Sequence, residues 1–330
     1  MENRLLKLIQ LIQESQNIVL STHRQCDGDG LGSQLALFHA LKKIGKNVYI
    51  INVDETPKKY SFLEPQKYIQ IYEKTPRLPK QIDLVLIFDT NDHRLLQPLY
   101  HELEQKSSNI AFIDHHPILK TGPQPTPLSW IEVSAASTGE LTYQLIEELK
   151  IPWDPQMAKA VYTSIVFDTQ LFRYIRKSPN SHLIAAKLIT QNFEIDEVHR
   201  FLFSQQTPEK MSFLARALQK IEYTCDGRLG LIRIKSKDLI DHHLEVDDTS
   251  DLIDFIMSID QLDAAIIFRE DAPNEYKLSL RSKGSLDVLS VAEMVGGGGH
   301  VSASGAFLKG KYEDLKIKIV NEMTKLLKSA

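Results

Sequence analysis

Cysteine is scarce in this 330-residue chain: Cys26 and Cys225 are the only two, too few for the disulfide framework on which small secreted domains rely. No apolar run approaches the roughly 20 residues needed to span a bilayer. An excess of positive charge is missing as well. With 39 basic and 43 acidic residues the net charge is −4, so the chain lacks the broad basic field that binds long duplexes by neutralising many phosphates. Any nucleic-acid ligand should be small or gripped locally. What remains is an ordinary globular composition, 42% apolar and 25% charged, long enough for two domains at roughly 100–200 residues each. The N-terminus, MENRLLKLIQLIQESQN, reads as an amphipathic helix with Leu5, Leu8, Ile9 and Ile12 on one face. It carries no cleavage-site pattern, which makes the cytoplasm the expected compartment.

In the first half, apolar runs alternate with helical patterns. NIVLST (17–22), NVYIINV (47–53), DLVLIFD (83–89) and NIAFID (109–114) read as buried strands of a parallel sheet with crossover helices. Leu31, Leu35, Phe38 and Leu41 mark a helix between the first two. Ser137 and Glu140 have capping-box spacing at the start of another, and a further helix runs from about Pro155 to Phe167. Helices fill roughly 180–222, with a start signal at Thr207-Pro208-Glu209. The texture then becomes β-rich at 229–235, 264–270, 276–282 and 305–310 before a terminal helix. The expected fold is α/β: a doubly wound, mostly parallel N-terminal domain (1–185), a helical linker (186–222) and a smaller α+β domain (223–330), with the active site in the cleft between the two domains.

Acidic and histidine residues gather where such a sheet binds ligands, beyond the carboxyl ends of its strands. After the first strand come His23, Cys26, Asp27 and Asp29; after the third, Asp89, Asp92, His93 and Arg94; after the fourth, Asp114, His115 and His116; and at a helix end facing them, Asp168. Several buried carboxylates held together would be costly unless divalent cations neutralise them. Oxygen and imidazole donors without a thiolate pair suit Mn²⁺ or Mg²⁺, with Fe²⁺ or Co²⁺ acceptable. Two such ions about 3.5–4 Å apart can clamp a phosphoryl group and activate a water.

Three other readings fail. Gly28, Gly30 and Gly32 are not spaced as G-x-G-x-x-G. Counting from Asp27, the fifth and twelfth positions of an EF-hand would be Leu31 and Phe38, which offer no oxygen. A nucleophile elbow G-x-S-x-G is absent. Asp241-His242-His243 repeats the letters of 114–116 but follows no strand, and reads as a solvated turn or helix start.

In these motifs, H-x-x-x-D-x-D-x-x-G-S at 23–33, Asp89, Asp114-His115-His116, Asp168 and Gly296-Gly-Gly-Gly-His300, the chain resembles the DHH phosphoesterase superfamily, in its branch of oligoribonucleases and 3′-phosphoadenosine 5′-phosphate phosphatases with a DHH-associated C-terminal domain. The resemblance implies one metal held by His23, Asp27 and Asp89, and a second by Asp29, Asp89, His115 and Asp168. His116 would act on the phosphate or leaving oxygen, with Asp114 orienting the histidines. Arg94, Arg281, Gly297, Gly298, Gly299 and His300 would hold substrate. Where the family usually has proline before the first aspartate this chain has Cys26, read as a small residue filling that place. The implied reaction is hydrolysis of very short oligonucleotides, about 2–5 nucleotides, or of linear dinucleotides, to nucleoside monophosphates. Removal of phosphate from 3′-phosphoadenosine 5′-phosphate is the alternative, and a non-catalytic nucleotide sensor the distant one. The expected partners are short RNA or DNA, with no long duplex and no membrane; a homodimer is compatible with the sequence.

Overall fold

The computed structural model describes residues 2–119, 122–176, 179–249 and 252–329. The chain divides into two compact units, Met1–Gln205 and Gln206–Ala330. The helices of the expected linker are shared between them and form no unit of their own.

The first unit contains α1 (Glu2–Glu14), β1 (Asn17–Thr22), α2 (Gly28–Lys43), β2 (Asn47–Asn52), β3 (Ile69–Ile71), β4 (Leu84–Phe88), α3 (Leu99–Lys106), β5 (Ile110–Asp114), β6 (Trp130–Ile131), α4 (Thr138–Glu148), α5 (Pro155–Asp168), α6 (Asn180–Ile189) and α7 (Ile195–Phe203). Its sheet is parallel, in the order β3-β2-β1-β4-β5-β6. That order reverses direction between β1 and β4, the switch point where doubly wound sheets open a crevice. Because both faces are covered, the middles of the central strands are apolar on both sides: α1, α2, α4 and α5 pack on one face against Leu20, Leu86 and Ile113, while Leu96, Leu99 and Leu103 cover Val19, Ile87 and Phe112 on the other.

The second unit contains α8 (Pro208–Leu218), β7 (Glu222–Thr224), β8 (Leu229–Ile234), α9 (Ser236–Ile240), α10 (Leu252–Met257), β9 (Ala264–Ala272), β10 (Glu275–Ser282), α11 (Leu289–Glu293), β11 (Gly298–His300), β12 (Ala303–Lys309) and α12 (Tyr312–Ser329). Its mixed sheet runs β11-β12-β10-β9-β8-β7, with β8 and β9 parallel and the other pairs antiparallel. Asp241-His242-His243 forms a turn just past the end of α9, the turn rather than the helix start of the two expected forms, with His242 Nδ1 2.8 Å from Asp238 O.

Candidate active site and metal centre

The first unit brings the acidic and histidine residues to the carboxyl edge of its sheet. β1 ends at Thr22 and the chain turns into α2, which Asp27 caps: its Oδ1 accepts from the N–H of Asp29 at 2.9 Å. Capping leaves Oδ2 for the side of His23, 4.0 Å from Nε2. Gly30 lets this turn approach the sheet, since a Cβ there would run into Thr22 Oγ1 and lie 3.3 Å from Asp89 Cβ. Asp89 follows β4 with φ at +61°, a left-handed conformation that a side chain adopts only where its surroundings hold it. Its two oxygens face opposite ways. Oδ2 lies 3.5 Å from His23 Nε2, and Oδ1 lies 3.8 Å from His115 Nε2 and 3.6 Å from His116 Nδ1.

Two donor groups follow from that geometry. His23, Asp27 and Asp89 form one and Asp29, His115 and Asp168 another, the potential ligand atoms of each group lying within 4.8 Å of one another; Asp89, Asp114 and His116 meet the same distance criterion. His115 Nε2 is 3.4 Å from both Asp29 Oδ2 and Asp168 Oδ2, and its Nδ1 faces Ala135 O at 3.2 Å, so a proton on Nδ1 leaves the Nε2 lone pair turned to the carboxylates. His116 is directed differently. Its Nδ1 is 2.8 Å from Asp114 Oδ1, which also accepts from the backbone N–H of His115 at 2.8 Å and of His116 at 3.1 Å.

The electrostatics separate these groups. Burial, and then the charge of Asp27, pushes the Asp29 carboxyl up to about 6. Asp89 and Asp168 are held well above the ordinary carboxylate range, by burial first and then by Asp29 and Asp27. His115 is driven well below its ordinary value by burial and by the neighbouring His116. Burial opposes charge on His116 too, yet Asp114, with Asp168 and Asp29 beyond it, raises it to about 9; the same pairing outweighs burial and lowers Asp114. Three carboxyls that resist ionisation around a neutral imidazole form a site short of positive charge. Divalent cations would supply what is missing, and the oxygen and imidazole donors fit them.

Several residues that the motifs did not single out complete the site. Asn91 Nδ2 donates to Asp114 Oδ2 at 2.6 Å and to His116 O at 3.0 Å. The N-terminus of α4 meets Asp29: Thr138 N–H donates to Oδ2 at 2.8 Å and Gly139 N–H to Oδ1 at 3.1 Å, while Ser164 Oγ also donates to Oδ1. Ser137 caps α4 by accepting from Glu140 N–H. The reciprocal half of the expected box does not form, because the Glu140 carboxylate accepts from Ser181 Oγ instead. Arg176 donates to Val133 O at 2.7 Å. Cys26 is 2% exposed.

Of the residues expected at substrate, Arg94 folds back onto Asp92, with Nε 3.0 Å from each carboxylate oxygen. Arg281, Gly298 and His300 lie in the second unit on β10 and β11. The glycine segment is largely an edge strand of the sheet. Gly299, at φ +130°, passes so close to β12 that a Cβ would lie 2.5 Å from Ala303 O.

A doubly wound sheet carrying carboxylates and imidazoles for divalent cations at its switch point defines a metal-dependent hydrolase. The profile of the DHH family, N-terminal domain, matches residues 17–165, and that of the DHHA1 domain matches 234–329. The chain thus carries a DHH N-terminal domain followed by a DHHA1 domain. A Thermus thermophilus protein named bifunctional oligoribonuclease and PAP phosphatase NrnA is 27% identical over 93% of this chain and 90% of its own length. The Bacillus subtilis protein of that name is 26% identical, over 91% and 92%. Among solved structures, an exopolyphosphatase-related protein from Bacteroides fragilis has the same fold, with a TM-score of 0.87 and 22% identity over 98% of this chain and 96% of that one. No helix among the described residues is long and apolar enough to cross a membrane.

Proposed function

We propose that this chain is a two-metal phosphodiesterase that degrades oligonucleotides of about 2–5 residues, or linear dinucleotides, to nucleoside monophosphates, and that removal of phosphate from 3′-phosphoadenosine 5′-phosphate is a second reaction of the same site. The observation that carries this reading is Asp89, whose two oxygens serve two donor groups at once. The names and near full-length coverage of the relatives support the substrate class, and the absence of excess positive charge supports its small size. The segment 1–185 carries catalysis and 223–330 holds substrate. Mn²⁺ is the preferred ion, with Mg²⁺, Co²⁺ or Fe²⁺ as substitutes, and the compartment is the cytoplasm.

His23, Asp27 and Asp89 would hold one ion, and Asp29, Asp89, His115 and Asp168 the other. When bound, the pair supplies electrophilic pull on a phosphoryl oxygen and lowers the pKa of a water. Water adds across a phosphorus–oxygen ester bond, releasing a monophosphate and a shortened chain. His116, with Nδ1 held by Asp114, turns its Nε2 edge away from that carboxylate and gives the proton to the departing oxygen. Arg281, the glycines 297–299 and His300 bind the nucleotide, and Arg94 joins them on leaving Asp92.

The test is a time course with Mn²⁺ on RNAs of about two to ten nucleotides, labelled at each end in turn, beside 3′-phosphoadenosine 5′-phosphate. The shortest RNAs should disappear first, and Asp89→Ala should abolish turnover. Retention of even about a tenth of the activity, roughly 1.4 kcal/mol of barrier, would defeat the bridging role. Mn²⁺-dependent binding without hydrolysis would leave a nucleotide sensor in place of an enzyme.

A further inference from the structure

Asn91 lies just past β4, two residues after Asp89, yet its side chain serves the carboxyl end of β5. It is 5% exposed, and its Nδ2 donates to Asp114 Oδ2 at 2.6 Å and to His116 O at 3.0 Å, across 23 and 25 residues of sequence. A carboxamide nitrogen carries two hydrogens. Both are engaged here on one short unit: one on the carboxylate that holds the His116 ring, the other on the backbone that bears it.

The two oxygens of Asp114 have separate partners. Oδ1 faces the local groups, the N–H of His115 at 2.8 Å, the N–H of His116 at 3.1 Å and His116 Nδ1 at 2.8 Å. All three lie within two residues of the carboxylate, so they orient it only within its own turn. The terminal torsion of an aspartate is broad and roughly two-fold, and Asn91 holds the second oxygen from a different strand end. The turn carrying Asn91 is itself closed, since Thr90 Oγ1 accepts from the N–H of Asp92 at 3.1 Å. Rotating the carboxylate about its torsion would break the 2.6 Å bond and draw the His116 ring with it. A bond that served the fold alone could end on any nearby acceptor; this pair ends on the orienting carboxylate and on the histidine that it orients.

We propose that Asn91 is a positioning residue for proton transfer: acting through Asp114, it aims His116 at the departing oxygen, and it matters most for esters whose leaving oxygen must be protonated. The inference rests on the reading of the chain as a phosphodiesterase in which His116 protonates that oxygen. Between nucleotides, the phosphorus–oxygen bond breaks with its electron pair left on a ribose oxygen, which takes the proton from His116. A nitrophenolate departs as a stable anion and needs no proton. A nitrophenyl ester therefore bypasses the step that Asn91 serves while reacting at the same kind of phosphorus centre.

The test compares a dinucleotide with the para-nitrophenyl ester of a nucleoside 5′-monophosphate, both with Mn²⁺, for wild type, Asn91→Ala and the similarly sized Asn91→Leu. Because each protein is scored by its ratio of rates on the two esters, a reduced folded fraction cancels. Both variants should fall roughly tenfold further on the dinucleotide than on the nitrophenyl ester, the usual scale for loss of a supporting hydrogen bond. A second readout needs no turnover. In the full chain with EDTA, the hydrogen between His116 and Asp114 should give a proton NMR resonance downfield of the amides, absent from His116→Gln, and that resonance should broaden or vanish in both Asn91 variants. Equal losses on the two esters would overturn the inference and leave Asn91 as a support of the fold. A wild-type ratio in Asn91→Leu would overturn it too, by assigning the alanine effect to packing. Wild type inert toward both esters would instead defeat the phosphodiesterase reading, and the inference with it.

Discussion

The N–H of Thr138 lies 2.8 Å from Asp29 Oδ2, so the first residue of α4 delivers the positive end of that helix to a buried carboxylate. The same residue reaches the other donor group, since its Oγ1 donates to Asp89 Oδ1 at 3.2 Å. One residue therefore sets the spacing of two carboxylates, one in the first turn of α2 and one just past β4. Thr138→Val keeps the N–H and removes only the hydroxyl. Supporting hydrogen bonds of this kind typically change metal affinity 10–100-fold, so Mn²⁺ binding by calorimetry should weaken about tenfold, and Thr138→Ser should restore it. Unchanged Mn²⁺ affinity in the valine variant would mean that Asp89 is held by its backbone alone.

Asp89 also depends on a glycine far from it in sequence. An alanine at position 30 would gain about 1 kcal/mol of helix propensity in α2, but its Cβ would run into Thr22 Oγ1 and crowd Asp89 Cβ. Overpacking at a fully buried contact costs about 1–3 kcal/mol, so the clash wins. Gly30→Ala should melt at lower temperature than wild type and lose turnover beyond what its folded fraction explains. A variant as stable and as active as wild type would show that the turn has room to shift.

Much of this site was legible because its chemistry lies at strand ends. Runs such as LVLIF and IAFID mark buried strands, and a carboxylate closing such a run must face the edge of the sheet. The caps were legible for the same local reason: Ser137, and Thr207 ahead of Pro208, accept from the N–H three residues on. Edge strands of two or three residues, β6 and β3, carry too few residues for a period to show. Thr138 and Ser164 were invisible because they act on Asp29 from 109 and 135 residues away, one of them through a backbone N–H that any residue possesses. The half-formed capping box failed because Ser181, distant in sequence, competes for Glu140.

The buried carboxylates predict an inverted pH response in chelator. Asp29 has its folded pKa raised to about 6, above an unfolded value near 3.9. The metal-free fold therefore binds a proton that the unfolded chain has released, so this carboxyl adds stability as pH falls from about 7 toward 4, while His115, held low, acts in the opposite sense below its unfolded value of about 6.5. His116, raised to about 9, has the same sign as Asp29: its contribution is complete below its unfolded value of about 6.5 and is lost as pH climbs through 9. In EDTA the denaturation midpoint should accordingly be higher at pH 6 than at pH 8, and Asp29→Asn should flatten the difference. A midpoint that rises with pH in EDTA would contradict the burial of these groups. Adding Mn²⁺ at pH 8 should reverse the order by neutralising the same carboxylates.

Asp83 titrates with the opposite sign and serves as an internal contrast. It precedes β4, and its Oδ2 accepts from the backbone N–H groups of Gln16 and Asn17 at 3.0 and 2.7 Å, pinning the start of β1 beside β4 at the switch point. Those bonds, the Asn17 backbone first and Gln81 next, hold its carboxyl below the ordinary range. A lowered folded pKa gives stability that is present above the unfolded value of about 3.9 and is lost as pH falls through the folded one. Hydrogen bonds to a charged acceptor contribute about 1.5–3 kcal/mol, and solvent screening at this partly exposed position reduces that toward 1 kcal/mol. Asp83→Ala should therefore destabilise the protein by about 1 kcal/mol at neutral pH, read as a lower urea midpoint, and the gap should close in acid, as pH falls through the lowered folded value. A gap that persists undiminished in acid would assign the loss to packing, and β1 would then owe its register to the ladder alone.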